Sequence, residues 1–173
     1  MEIRSTKPDE IDTLMDLFAE ARATIASLGI DQWQNGYPDR ETVRRDIESG
    51  VSRVVVLDGE IIGTLACIGT GEPTYDVIED GEWLTGKGRS YLAVHRVAVA
   101  VKHRGSGVSR AMMAYALDLA RASGLASVRI DTHEGNRVMR RMLEKNGFTP
   151  CGIIHLENGD RRVAYEKRTE DER

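Results

Sequence analysis

Cysteine is scarce in this 173-residue chain: only Cys67 and Cys151 occur, far apart and without a CxxC spacing. That excludes a disulfide framework and points to a reduced, cytoplasmic setting, with both thiols read as small buried hydrophobes. Long apolar runs are missing as well, and none approaches the roughly 18 residues of a membrane span, so no membrane partner is expected. The opening residues, MEIRSTKPDE, are charged and lack the apolar core of an export signal. No repeat or low-complexity segment stands out. No metal-ligand cluster or Ser–His nucleophile pattern does either, so no metal is expected and a phosphate-binding hydrolase is a distant reading. Aromatic residues make up only 5% of the chain, so those in polar stretches draw notice.

What is present is a globular balance, 40% hydrophobic and 30% charged, in a length that fits one domain. Residues 1–168 are read as that domain and 169–173 as a frayed, charged tail. The net charge of −4 is uneven: nine Lys/Arg and four Asp/Glu lie between Lys102 and Lys145, leaving −9 for the rest. An acidic chain with such a basic stretch suggests a local anion site and not nucleic-acid binding, unless the asymmetry is ordinary variation among helix faces.

Hydrophobic spacing predicts the elements. After a short strand at Met1–Arg4, Thr6 and Asp9 look like a capping pair for a helix carrying Ile11, Leu14, Met15, Phe18, Ile25 and Leu28, stopped by Gly29. Pro38–Asp39 opens a second helix to about Ser49. "VSRVVVL" and "IIGTLACIG" read as strands joined at Asp58–Gly59. A polar stretch leads to "RSYLAVHRVAVAV", apolar on both faces and so a central strand. A helix from Val108 to Leu119, the strand "ASVRIDT", a helix from Asn136 to Lys145 and a hairpin turning at Asn158–Gly159 complete the order β-α-α-β-β-β-α-β-α-β-β. The fold class is α/β: one mixed layered structure, not a doubly wound alternation.

"VKHRGSGVSRAMMAYAL" sets a basic, glycine-rich turn between the central strand and a helix. Consecutive N–H groups and a helix N-terminus can hold phosphate there. A Walker loop is excluded because Val108–Ser109 follows Gly107 where Lys-Ser/Thr is needed. The dinucleotide pattern GxGxxG fails because its third glycine position is Arg110. A plain tight turn would explain the glycines, but not the flanking Lys102, His103, Arg104 and Arg110.

This segment resembles the acyl-CoA-binding motif of the GNAT superfamily of N-acyltransferases, Arg/Gln-x-x-Gly-x-Gly/Ala after a strand ending hydrophobic-Ala-Val. Arg104 takes the first position, Gly107 the central glycine, and Ser109 stands where Gly/Ala is usual. A second motif is matched by "NRVMRRMLEKNGF", through Asn136, Glu144, Lys145, Gly147 and Phe148. The resemblance implies a central mixed sheet of about seven strands flanked by about four helices. Acetyl-CoA or another acyl-CoA would bind where two central parallel strands splay apart. Backbone groups at Val97, Ala98 and Val99 would meet the pantetheine and thioester. Arg104, Gly105, Ser106, Gly107, Val108 and Ser109 would hold the pyrophosphate, and Asn136 the pantetheine.

The implied reaction is direct acetyl transfer to an amine. The family's usual tyrosine acid is replaced by Leu143, which cannot donate a proton; this departure leaves a catalytically weak acyl-CoA sensor as the alternative. His95 is the first candidate base, placed by strand alternation on the side of Val97 and Val99, unless it is simply bonded within the sheet. His133 and Glu134 are alternatives. Arg96, on the other side with Leu92, Val94 and Ala98, needs an acidic partner or a substrate carboxylate. Trp33, Tyr37, Tyr75 and Trp83 fall in the two stretches that wall the acceptor side in the family; they either line an amine pocket or anchor those loops. The acceptor is expected to be a small-molecule amine or a peptide or protein amine. Family habit also allows a homodimer.

Overall fold

The computed structural model describes residues 1–88 and 90–171, and among these lie seven strands and four helices. They are β1 (Glu2–Ser5), α1 (Ile11–Ser27), α2 (Arg40–Glu48), β2 (Ser52–Leu57), β3 (Glu60–Ile68), β4 (Tyr91–Val99), α3 (Val108–Ala122), β5 (Ser127–Thr132), α4 (Arg137–Lys145), β6 (Thr149–His155) and β7 (Arg161–Arg168). The order matches the expected one, and the strands form one mixed sheet ordered β1-β2-β3-β4-β5-β7-β6. Arg89, expected to begin the central strand, and Glu172 and Arg173 of the expected tail lie outside the described residues. The chain divides into two compact units, Met1–Cys67 with Arg96–Met112 and Ile68–His95 with Met113–Arg173. The division falls inside β4, between His95 and Arg96.

In the first unit, the helical spacing of Leu14, Leu17, Phe18 and Ala21 puts them on one face of α1. That face packs with Val43 of α2, Val54 of β2, and Ala98 and Ala100 from β4 and its end. Each large side chain buried this way contributes roughly 1.5–3 kcal/mol. The start of α1 differs from the expectation. Thr6 Oγ1 shares a 2.7 Å hydrogen bond with Ser52 Oγ, while Lys7 N donates to Glu10 Oε2 at 2.7 Å and opens a 3-10 turn at Pro8–Glu10. A buried hydroxyl partner on β2 has taken the residue that local pattern assigned to a cap. Asp39 does cap α2, its Oδ1 accepting from Thr42 N at 2.8 Å. Gly63 of β3 is bare for a packing reason: a Cβ there would lie 2.6 Å from Met112 Cε and 3.1 Å from the Ala98 carbonyl oxygen.

In the second unit, β5 and β6 both pair antiparallel with β7. The outer edge of β6 is partly covered, because Glu79 and Ile153 exchange two backbone hydrogen bonds of 2.8 Å. Tyr75, Trp83, Tyr91, Ala93, Cys151, Ile154 and Ala164 form a buried cluster. Beside it Arg129, 2% exposed, pairs with fully buried Glu166 at 2.9 Å. The guanidinium lies 4.2 Å from the Trp83 ring centre and 4.1 Å from that of Tyr91. Burial opposes ionisation of Glu166, but bonds from Ser127, Thr85 and Arg129 outweigh it and hold its pKa below the usual carboxylate range. Thr169, where the charged tail begins, accepts at its carbonyl from Arg121 Nε at 2.6 Å.

Candidate active site

In the first unit, β4 leads through Ala100 and a 3-10 turn at Val101–His103 into Arg104–Gly107 and the start of α3. The turn is tight: the His103 carbonyl accepts from Ser106 Oγ at 2.6 Å. Gly105 and Gly107 have φ of +80° and +89°, and a Cβ on either would meet nothing within 4 Å. The glycines therefore serve backbone conformation, with open space in front of them. Ala111 N donates to the Gly107 carbonyl at 3.0 Å. The amides ahead of it belong to the first helical turn, which has no intrahelical acceptors for them. Helix α1 braces this turn, with Glu20 Oε2 accepting from Val101 N at 2.9 Å and Thr24 Oγ1 accepting from Arg104 Nη1 at 2.7 Å. The bracing residues Glu20 and Thr24 carry no motif and were not foreseen from sequence.

Arg96 has φ +52°, a left-handed conformation that only a few per cent of non-glycine residues adopt. Such a residue interrupts the pleat, so alternation cannot be carried from His95 to Val97 and Val99. The Arg96 guanidinium meets Asp46 of α2, Nε to Oδ2 at 2.5 Å and Nη2 to Oδ1 at 2.8 Å, and Nη1 donates to the Tyr37 hydroxyl at 2.8 Å. The acidic partner that burial required is thus internal. Trp33, itself at φ +63°, sits edge-on to Phe18 and Tyr37, ring centres 5.9 and 6.1 Å apart. Trp33, Tyr37 and Arg96 are therefore brought together. A cleft of about 180 Å3 beside Arg96 is lined by Leu14, Phe18, Val43, Asp46 and Thr64, among others.

In the second unit, His95 Nε2 lies 3.1 Å from Glu72 Oε2, with side chains 16% and 23% exposed. The contact is close but off the line of the ring N–H. The other carboxylate oxygen of Glu72 accepts from Thr74 N and Oγ1 at 3.2 and 3.1 Å. The Glu72 carboxyl is pulled down to about 2, chiefly by the His95 imidazole, against the opposing effect of burial. Tyr75 stands with its ring centre 5.8 Å from His95 and donates its hydroxyl to Asp131 Oδ1 at 2.6 Å. Trp83 Nε1 donates to the Tyr75 carbonyl at 2.9 Å. Tyr75 and Trp83 are 1% and 5% exposed, so their polar edges are used inside this unit and they anchor their loop onto the core. Glu72 and Asp131 went unnoticed in the sequence, since single carboxylates in polar or strand context carry no pattern.

The parallel β4–β5 pairing covers Tyr91–Ser127, Leu92–Val128 and Ala93–Arg129. Among the described residues it ends there, although β5 continues to Thr132. Past β5, His133 Nδ1 accepts from Gly135 N at 2.9 Å, and the Glu134 carbonyl accepts from Arg140 Nη1 at 3.1 Å. Asn136 caps α4, its Oδ1 accepting from Met139 N at 3.1 Å. Leu143, the residue in the usual tyrosine's place, is fully buried.

The Acetyltransferase (GNAT) family model matches residues 12–148. A GNAT-family acetyltransferase from Streptococcus agalactiae 2603 is 39% identical and superimposes with a TM-score of 0.86 over 98% of this chain and 96% of that one. The PaiA N-acetyltransferase from Thermoplasma acidophilum, solved in complex with coenzyme A, shares the fold at 16% identity, with a TM-score of 0.70 over 96% of this chain and 98% of its own. A ribosomal-protein-alanine N-acetyltransferase from Brucella melitensis does so at 18% identity and a TM-score of 0.69, over 97% and 99% of the two chains. No curated protein matches the sequence. The chain belongs to the GNAT family of acetyltransferases and is an acyl-CoA N-acyltransferase. Among the described residues no helix is long and apolar enough to cross a membrane.

Proposed function

We propose that the protein transfers an acetyl group from acetyl-CoA to a primary amine by direct attack within a ternary complex. The observation that carries this reading is the Arg104–Ser109 turn, with two positive-φ glycines facing open space ahead of helix-start amides that have no intrahelical acceptor. Those amides hold the pyrophosphate, and Arg104, already swung against Thr24, adds charge. Backbone groups of Val97, Ala98 and Val99 meet the pantetheine and thioester, with the Val99 N–H serving the oxyanion. Asn136 supports the pantetheine. The amine nitrogen attacks the thioester carbon, the C–S bond breaks, and coenzyme A leaves as a thiolate that takes a proton from water. A thiol pKa near 8.5 makes that departure tolerable without the tyrosine acid. The amine's proton passes to His95, with His133 and Glu134 as the alternative carriers.

The acceptor is a small-molecule amine or a peptide or protein amine, met on the side of Trp33, Tyr37 and Arg96. For Tyr75 and Trp83 the reading is one of support for His95. A cytoplasmic setting fits the two free, buried thiols, and a homodimer is compatible with the family's habits. A second reading, a binding module with little turnover, is favoured by one observation, the buried Leu143.

Thiol release from acetyl-CoA across an amine panel separates the two. Turnover with some amine supports the enzyme, whereas tight coenzyme A binding with no release supports the module. Gly107→Val forces a β-branched residue to φ +89° and should weaken acetyl-CoA binding at least about tenfold, ~1.4 kcal/mol. Unchanged affinity in calorimetry would remove the turn from the site.

A further inference from the structure

We propose that Glu72 is the positioning residue for His95, holding the imidazole through Nε2 so that Nδ1 is the nitrogen that receives the amine's proton. The inference deepens the proposed function and rests on its assignment of His95 as base. Its geometry is specific. Glu72 Oε1 is fixed by the Thr74 amide and hydroxyl, which leaves Oε2 to face His95 Nε2 at 3.1 Å. The main chain of Glu72 is fixed as well, its N–H donating to the Tyr91 hydroxyl at 2.8 Å. A carboxylate tied at one oxygen and at its own backbone cannot follow the imidazole, so the imidazole must follow it.

The surroundings define the charge balance. From the 3-10 turn at Pro73–Tyr75, the Tyr75 ring packs against His95. From β5, Asp131 accepts the Tyr75 hydroxyl, and from β4, Tyr91 stacks obliquely on Tyr75 at 6.0 Å. Burial and the Asp131 carboxylate hold Tyr75 protonated, its pKa well above the ordinary value, so its hydroxyl stays committed to Asp131. Glu72 is therefore the carboxylate in contact with the ring, and Asp131 lies behind Tyr75. A carboxylate on Nε2 selects the Nε2–H tautomer of the neutral ring and strengthens Nδ1 as a base. The off-axis contact in the free protein is of the kind that tightens when substrate binds.

Long-range 15N spectra of the neutral His95 imidazole should show Nδ1 unprotonated and Nε2 carrying the proton. The opposite tautomer would overturn the proposal, and the measurement needs no turnover. In pH–rate profiles, Glu72→Gln should move the acid limb to lower pH and lower kcat, with the KM for acetyl-CoA unchanged. Glu72→Asp, which keeps the charge, should recover part of both losses. His95→Ala belongs in the same series. A profile altered in His95→Ala but unaltered in Glu72→Gln overturns the positioning role alone. A profile unaltered in His95→Ala overturns the base assignment, and this inference with it.

Discussion

Glu72 and Glu166 illustrate two ways of keeping a carboxylate ionised, one by an imidazole at a half-buried site and one by a hydrogen-bonded network in the interior. The Glu72 carboxyl, pulled down to about 2 from an ordinary 4.5, contributes stability that is fully present above about 4.5 and lost as pH falls through 2. Urea unfolding should accordingly show Glu72→Gln less stable than the parent at neutral pH, with the difference shrinking steadily between pH 4.5 and 2. A constant difference across that range would contradict the pairing. Removing Glu166 strands the Arg129 guanidinium between two rings, so Glu166→Ala should cost about 3–5 kcal/mol in the same measurement. Leu143 is packed on all sides, so Leu143→Tyr should not simply restore an acid; it should cost about 1–3 kcal/mol by overpacking, read as a lower midpoint. At this scale the sequence was informative only where chemistry is local. The left-handed backbone of Gly107 could be read from a glycine-rich turn set ahead of a helix. Asp46 lies 50 residues from Arg96 and Asp131 lies 56 from Tyr75, so neither partner could be found by spacing.

Elements were largely readable because hydrophobic period is a property of neighbours. The face of α1 and the buried central strand follow from it, while the Asp39 cap and the hairpin turns follow from equally local capping and turn chemistry. Two features escaped. Thr6 is drawn away from the helix start by Ser52, a partner on another strand. β4 carries a left-handed arginine in a stretch rich in Val and with no glycine or proline, so nothing in the composition marks the interruption. Its consequence is practical: the side of β4 on which His95 lies has to be judged separately from that of Val97 and Val99. Close packing between β3 and α3 can be tested at Gly63, where a Cβ meets the flexible end of Met112 and also the Ala98 carbonyl. Gly63→Val should destabilise by about 1–3 kcal/mol in chemical denaturation, and a neutral outcome would mean that α3 yields more easily than its burial suggests.

At the scale of the whole chain, the proposed pyrophosphate site would give the basic stretch between Lys102 and Lys145 of this acidic protein a partner in the phosphates of coenzyme A. The two family motifs fall inside the matched span of residues 12–148, and the 39% identical relative from Streptococcus agalactiae covers nearly the full length. Family membership was therefore readable from sequence, since its motifs are runs of contiguous residues. The acceptor was not, because the residues offered for it come from separate loops and its recognition depends on how those loops pack. The central claim is that the Arg104–Ser109 turn binds acetyl-CoA for transfer to an amine. Its most direct test is single-turnover mass spectrometry of the parent and Gly107→Val with acetyl-CoA and an amine panel. The account predicts an acetylated amine and stoichiometric free coenzyme A from the parent, both strongly reduced in the variant at the same acetyl-CoA concentration. Equal product from the two proteins would contradict it.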